Sequence, residues 1–198
     1  MALVIKKIKI ANRKTQRGDL LLNIIIAVML MGIIGVFGMP QIDKILTRSK
    51  IPSVSDDTQR YMASVVTSTA GAGITPYEGI NQAGFARDVR GSSLKVGDVS
   101  GQGTGGEDVR HGLGGGTGGK VTIGETGDTF SLTFANVANA ACPDLATAMQ
   151  GSVDTIKING TSVKVTDDNK TVTTAYFAAK AKNSCLDGDK NEFIFTTR

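Results

Sequence analysis

From Leu20 to Met39 the only polar side chain is Asn23. A helix advances about 1.5 Å per residue, so this run reaches roughly 30 Å, the thickness of a bilayer's hydrocarbon core. No other stretch is so long, so apolar and so sharply bounded, and it predicts a membrane-competent helix opened by Asp19 and closed by Pro40. A secretory signal has a shorter apolar core, about 7–15 residues, ending in small residues at its cleavage site. Here Val36-Phe-Gly38 is followed closely by Pro40, which leaves an uncleaved signal anchor as the plainer alternative. Lys6, Lys7, Lys9, Arg13, Lys14 and Arg17 precede the run and only Lys44, Arg48 and Lys50 follow it closely, so its N-terminus is expected on the cytoplasmic side. The run contains no GxxxG spacing, so a dimerising membrane pair is not specifically encoded.

The charge of the whole chain is misleading. Residues 1–18 hold six of the 22 basic residues and none of the 18 acidic ones, so the remainder carries 16 against 18 and is formally minus two. That balance gives no basic case for nucleic-acid binding. The 198 residues leave room for one globular domain beyond the apolar helix, with a core of aliphatic and small residues, since there is no tryptophan. Cys142 and Cys185 are the only cysteines, both beyond the span, and two cysteines in an exported domain are most simply read as one disulfide. Closing a loop of that length would stabilise the fold by roughly 4 kcal/mol in the chain-entropy model.

The pattern along the chain predicts an α+β domain. Ile42, Ile45 and Leu46 fall on one face of a continuing helix, which Pro52 is expected to interrupt; Ser53 or Ser55 then caps a new start. Val54, Tyr61, Met62, Val65, Val66 and Thr69 recur at helical spacing and predict a stripe that packs on a sheet. Gly71-Ala-Gly73 ends that helix. Residues 85–89 suit either a short helix or a strand. Residues 101–119 contain ten glycines and predict a flexible loop. Beyond it, 120–123 and 129–134 alternate as a hairpin, and 142–149 suit a short helix with Pro143 in its first turn. Asn159-Gly160 joins strands 155–158 and 162–165, 174–181 looks helical, and 192–196 is a closing strand.

Catalytic and cofactor motifs fail on inspection, so no enzymatic activity, metal or cofactor is expected. His111, the sole histidine, falls in the Gly-rich loop and is expected to be solvated. Gly114 to Lys120 fits GxxxxGK, but Val121 stands where a phosphate loop needs Ser or Thr, and no apolar strand leads into it. Asp167-Asp-Asn169 and Asp187-Gly-Asp189 lack the further oxygen ligands of a calcium loop and read as turns.

A basic leader, Gly18, and an apolar helix starting at once resembles the prepilin signal of type IV pilins. The resemblance implies cleavage after Gly18 by a prepilin peptidase, with Asp19 as the new N-terminus and the candidate for N-methylation. It also places Pro40 at the twenty-second position after the cut, where many of these pilins carry a proline and a kinked or locally melted helix. Two residues depart from the pattern: Asp19 stands where the family has a hydrophobic residue, and Asn23 where it has a glutamate thought to neutralise a neighbouring subunit's N-terminal amine. An amide cannot cancel that charge, so Asp19 is the candidate for the role. The order of Gly-Gly, two strands, Ala140-Ala-Cys-Pro-Asp-Leu-Ala146, Asn159-Gly160, an Ala-rich helix, Cys185 and Phe193-Ile-Phe195 is similar to type IVb pilins, the bundle-forming and plasmid-conjugation kinds in particular. The likeness covers 13–52 and, loosely, 113–198.

By that resemblance the chain is divided into a leader (1–18), an apolar helix with its extension (19–52) and a pilin domain (53–198), and Cys142 and Cys185 are the family's disulfide. The fold it implies is one long N-terminal helix packed on an antiparallel sheet. The implied role is a pilus subunit with Asp19, Asn23 and Pro40 in assembly. Its partners would be identical subunits, the peptidase, an assembly ATPase and platform, and the inner membrane, before it reaches a surface filament. An anchored exported binding module, or a pseudopilin that builds no surface pilus, is the alternative.

Overall fold

The computed structural model describes residues 16–97, 108–115 and 119–198; within the first helix the side chains of 16–20 and 36–41 lie outside the description. The chain forms two compact units, Met1–Asp43 and Lys44–Arg198. Helix α1 (Gln16–Thr69) contributes to both. Pro52 does not interrupt it, contrary to the sequence expectation. A mid-helix proline costs about 3 kcal/mol, and here burial offsets that cost: Ile51 and Val54, on either side, are both buried in the core of the second unit. Ser53 and Ser55 are not caps; their hydroxyls donate back to the carbonyls of Lys50 and Pro52. From there Thr58, Tyr61, Met62 and Val65 continue the buried stripe, while Val66, expected within it, stays exposed.

The second unit carries an eight-stranded antiparallel sheet among its described residues, in the order β1-β2-β3-β4-β8-β5-β6-β7. The strands are β1 (Lys95–Val96), β2 (Val109–Arg110), β3 (Lys120–Glu125), β4 (Phe130–Ala138), β5 (Thr155–Ile158), β6 (Thr161–Thr166), β7 (Val172–Thr174) and β8 (Asp189–Thr197). The α+β class and the antiparallel sheet are as the pattern predicted. The last strand, β8, enters between β4 and β5 and becomes central, pairing Leu132 with Phe195 and Ile156 with Phe195 on its two sides. Alternation does the rest. Phe130, Leu132, Phe134, Phe193, Phe195, Ile156 and Ile158 are fully buried, while Thr133, Lys157 and Thr196 point to the other, more polar face. Edge-on contacts bind this layer, with ring centroids of Phe134 and Phe195 5.5 Å apart.

Three short helices cover the remainder: α2 (Gln82–Asp88), α3 (Cys142–Met149) and α4 (Ala178–Asn183). Residues 85–89 thus resolve as helix, started by Asn81, whose side chain accepts from the Gly84 amide at 2.9 Å. Gln82 completes the edge of β3 beyond the reach of β2: its carboxamide donates to Val121 O and accepts from Ile123 N, as a strand would. The helix predicted over 174–181 is corrected. Thr174 ends β7, Phe177 is extended, and the helix starts only at Ala178.

Replacing Phe195 by Ala should cost about 3–5 kcal/mol in urea unfolding of the chain. Thr133→Ala, on the opposite face of the neighbouring strand, should stay within about 0.5 kcal/mol.

Candidate functional site

In the first unit the described side chains of α1 from Leu21 to Ile34 are apolar except Asn23, and they are exposed on every side. Leu21, Leu22, Ile24, Ile25, Ile26, Val28, Met29, Leu30, Met31, Ile33 and Ile34 are all between 47% and 73% exposed. Because consecutive positions are apolar, this is no stripe but a whole cylinder, and such a helix is stable only when something surrounds it. Asn23 is exposed among them. Gly18, Asp19 and Pro40 fall within α1, but their side chains lie outside the description. Among the described residues no helix is long and apolar enough to cross a membrane. The side chains described without interruption, Leu21–Gly35, number fifteen, about 22 Å of helix, and fall short of the roughly 30 Å hydrocarbon core.

In the second unit Cys142 and Cys185 form a disulfide across 43 residues, with Cα atoms 6.0 Å apart. It joins the first residue of α3 to the segment just after α4. The loop that follows, 184–188, is held by three asparagines, and sequence reasoning missed all of them. Asn191 is fully buried on β8. Its amide donates to Val137 O (3.1 Å) and Leu186 O (3.0 Å), and its carbonyl accepts from Leu186 N (2.6 Å) and from the Asn159 amide (2.9 Å). Asn159 in turn donates to Ser184 O and accepts from Glu192 N. Asn139 donates to Leu186 O, and its own N–H donates to Gly188 O. One signal was present: the alternation Asn191, Phe193, Phe195, Thr197 puts a carboxamide on the inward face, where it needs partners. Asn159 has a second task, since φ values of 50° and 79° at Asn159 and Gly160 make the tight hairpin turn.

α1 is fastened beside the disulfide by polar contacts to the ends of α3. Arg48 donates to Ala140 O and stands 3.6 Å from Asp144, while Gln59 donates to Ala148 O at 2.9 Å. At the far end of α3 the Lys164 ammonium donates to Gln150 O and Val153 O, a cation where the helix leaves carbonyls unpaired. Burial pushes its proton affinity down, and Asp154 opposes that. Val172, Phe177 and Leu186 are exposed apolar groups elsewhere in this unit. Asp167 does turn work, accepting from Asn169 N and Thr171 N, and Asp187 accepts from the Asn139 amide.

Two readings of the Gly-rich stretch are corrected. His111 is not solvated but buried, with 1% of its surface exposed. Nor are 108–115 a free loop: Val109, His111 and Leu113 alternate inward, a period of two that the glycines concealed. The phosphate-loop pattern includes 116–118, outside the described residues.

With this geometry in hand, comparison with known proteins is informative. Residues 115–198, about two fifths of the chain, match the family model described as PilS N terminal. Over that stretch the chain is similar to the PilS family. The match begins at Gly115, just ahead of β3, and contains the central strands, both cysteines and all three loop-holding asparagines. Among solved structures, the crystal structure of a type IV b pilin from Salmonella typhi aligns with 18% identity and a TM-score of 0.43, covering 69% of this chain and 95% of that one. No curated protein matches.

Asn191→Leu keeps most of the side-chain volume but leaves Val137 O, Leu186 N and the Asn159 amide without their partner. The variant should lose about 1–3 kcal/mol for each group left buried and unpaired, read from the midpoint of urea unfolding. Reducing the disulfide should cost about 2–5 kcal/mol by the same measurement.

Proposed function

We propose that this chain is a structural subunit of a type IVb-like pilus, cut after Gly18 and polymerised through α1 into a surface filament. The observation that carries the reading is the helix of Leu21–Ile34, apolar around its circumference except at Asn23 and exposed. Packing such helices side by side removes that surface from contact with water or lipid. Before assembly the same run would reside in the inner membrane; that stage rests on the sequence from Leu20 to Met39. Export, cleavage and polymerisation would need a prepilin peptidase, an assembly ATPase and a platform. The subunit's own contribution is mechanical: a helix that assembles and a domain that displays the disulfide loop, for adhesion, aggregation or conjugation.

Within the assembled core a free N-terminal ammonium needs a counter-charge, which the exposed Asn23 amide cannot supply. The Asp19 carboxylate takes that role in this reading, within its own subunit or toward the next.

The direct test is the intact mass and N-terminal sequence of protein recovered from a sheared surface fraction. A chain beginning at Asp19, two hydrogens lighter than its dithiol form, is the expected product, and the same spectrum reads methylation. Recovery only from the inner membrane with Met1 or Ala2 intact would overturn the reading in favour of an anchored, non-polymerising module. Asp19→Asn should abolish polymer while leaving cleavage intact, and an unchanged polymer yield would exclude the proposed counter-charge.

A further inference from the structure

The short strap His111–Gly115 leaves β2 and lies across the end of β4, where the strand loses its regular register between Phe134 and Ala138. Its attachments are few. The Ala138 N–H donates to Leu113 O (2.9 Å), the Gly115 N–H donates to Asp189 Oδ2 (2.9 Å), and the His111 N–H donates to Gly119 O (3.1 Å). The Lys50 ammonium donates to Gly112 O (3.4 Å), and two further bonds among the described residues run through the His111 ring. Nδ1 accepts from the Leu113 N–H at 2.9 Å, so it carries no proton; Nε2 must then be the protonated nitrogen, donating to Ala135 O at 2.8 Å. The ring stacks on Phe134 with centroids 5.6 Å apart. Close approach makes the fit tight: a Cβ on Gly114, whose φ is +108°, would stand 2.6 Å from the Ala138 Cβ.

We infer that His111 is an acid-operated latch: it holds the strap on β4 only while Nδ1 is bare, and a proton there releases residues 111–115 while the central sheet stays folded. Protonated, Nδ1 would point an N–H at the Leu113 N–H. The Leu113 amide loses its acceptor, and an imidazolium is left with 1% exposure against an aromatic face. Burial holds the ring's proton affinity below the ordinary histidine range, with the Ala135 carbonyl and Asp189 opposing it. Asp189 stands at the start of β8 and accepts from the Gly115 N–H, a bond that breaks when the strap is released while Asp189 stays on the sheet. Of the other charges nearby, Lys50 on α1 donates to Gly112 O, and Arg110 on β2 and Lys120 on β3 are both engaged with Asp108.

The direction follows from linkage. The released ring takes a proton near pH 6.5 and the latched ring resists it, so the latch is at full strength above that pH and weakens below it. The ratio of released to latched strap should rise about tenfold for each pH unit below about 6.5, until the latched ring itself titrates. The sheet has no such dependence on the strap. β1 and β2 are two residues each, whereas β4, β8 and β5 pair along long ladders through the core.

The test is hydrogen exchange by mass spectrometry on the full chain in detergent micelles, between pH 7.5 and 5, with rates corrected for intrinsic pH dependence. The expected result is protection over 111–115 that falls about tenfold per pH unit below about 6.5, with protection over 193–197 unchanged. His111→Gln, whose amide accepts and donates without titrating, should lose the pH dependence. Protection over 111–115 that ignores pH, a simultaneous loss over 193–197, or wild-type pH dependence in His111→Gln would each overturn the inference. Nitrogen NMR of the wild-type ring tests it independently of any variant, because Nδ1 protonated at pH 7.5 is incompatible with the latch.

Discussion

The second unit depends on the pairing of β4 with β8. These strands are separated by fifty residues of chain, yet they form the middle of the sheet and supply Phe130, Leu132, Phe134, Phe193 and Phe195 to its buried face. Each fully buried aromatic or aliphatic side chain contributes on the order of 1.5–3 kcal/mol. Everything else in the unit is arranged against that face. α1 lays Val54, Thr58, Tyr61, Met62 and Val65 into the same core, α3 adds Leu145 and Met149, and the strap adds Leu113. β8 follows all the other described strands in sequence yet lies between β4 and β5, so the core is closed by inserting it between two earlier hairpins.

That late insertion explains where the polar and covalent ties fall. The segment leading into β8 is irregular, and irregular backbone has amide groups that no ladder satisfies. Asn191, Asn159 and Asn139 satisfy them, and the disulfide fixes the same segment to α3. The asparagines set the shape of the loop; the disulfide limits how far it can stray when those bonds open. A surface of stable shape near Phe177 and Leu186 follows from both.

The two units obey opposite rules. In Lys44–Arg198 the apolar groups are sorted inward by alternation and helical stripe, so the domain is self-sufficient. In Met1–Asp43 the side chains of Leu21–Ile34 are apolar around the helix except Asn23, a surface of the kind that needs covering. The proposed filament role would use that contrast, an exposed apolar helix for assembly and a separately packed domain.

Several features were legible in the sequence because they are local. The α3 helix at Cys142–Met149, the Asn159-Gly160 hairpin and the β3–β4 alternation each depend on a few neighbouring residues, and each was found where the pattern put it, whereas the helix over the apolar run is neither opened at Asp19 nor closed at Pro40 but runs on to Thr69. The resemblance that paired Cys142 with Cys185 drew on the order of those same local elements. Tertiary structure decided the rest, for a physical reason common to all of it. Pro52 was tolerated inside α1 because burial of Ile51 and Val54 outweighed a local cost. His111 was drawn inward because Ala135 O and Leu113 N, brought together by β4 and the strap, satisfy both ring nitrogens. Asn191 became a hub because Val137, Leu186 and Asn159 converge on it from three segments. A local sequence window records propensity and period; it does not record which distant donor or acceptor will arrive, and at these residues that arrival is what determines the structure.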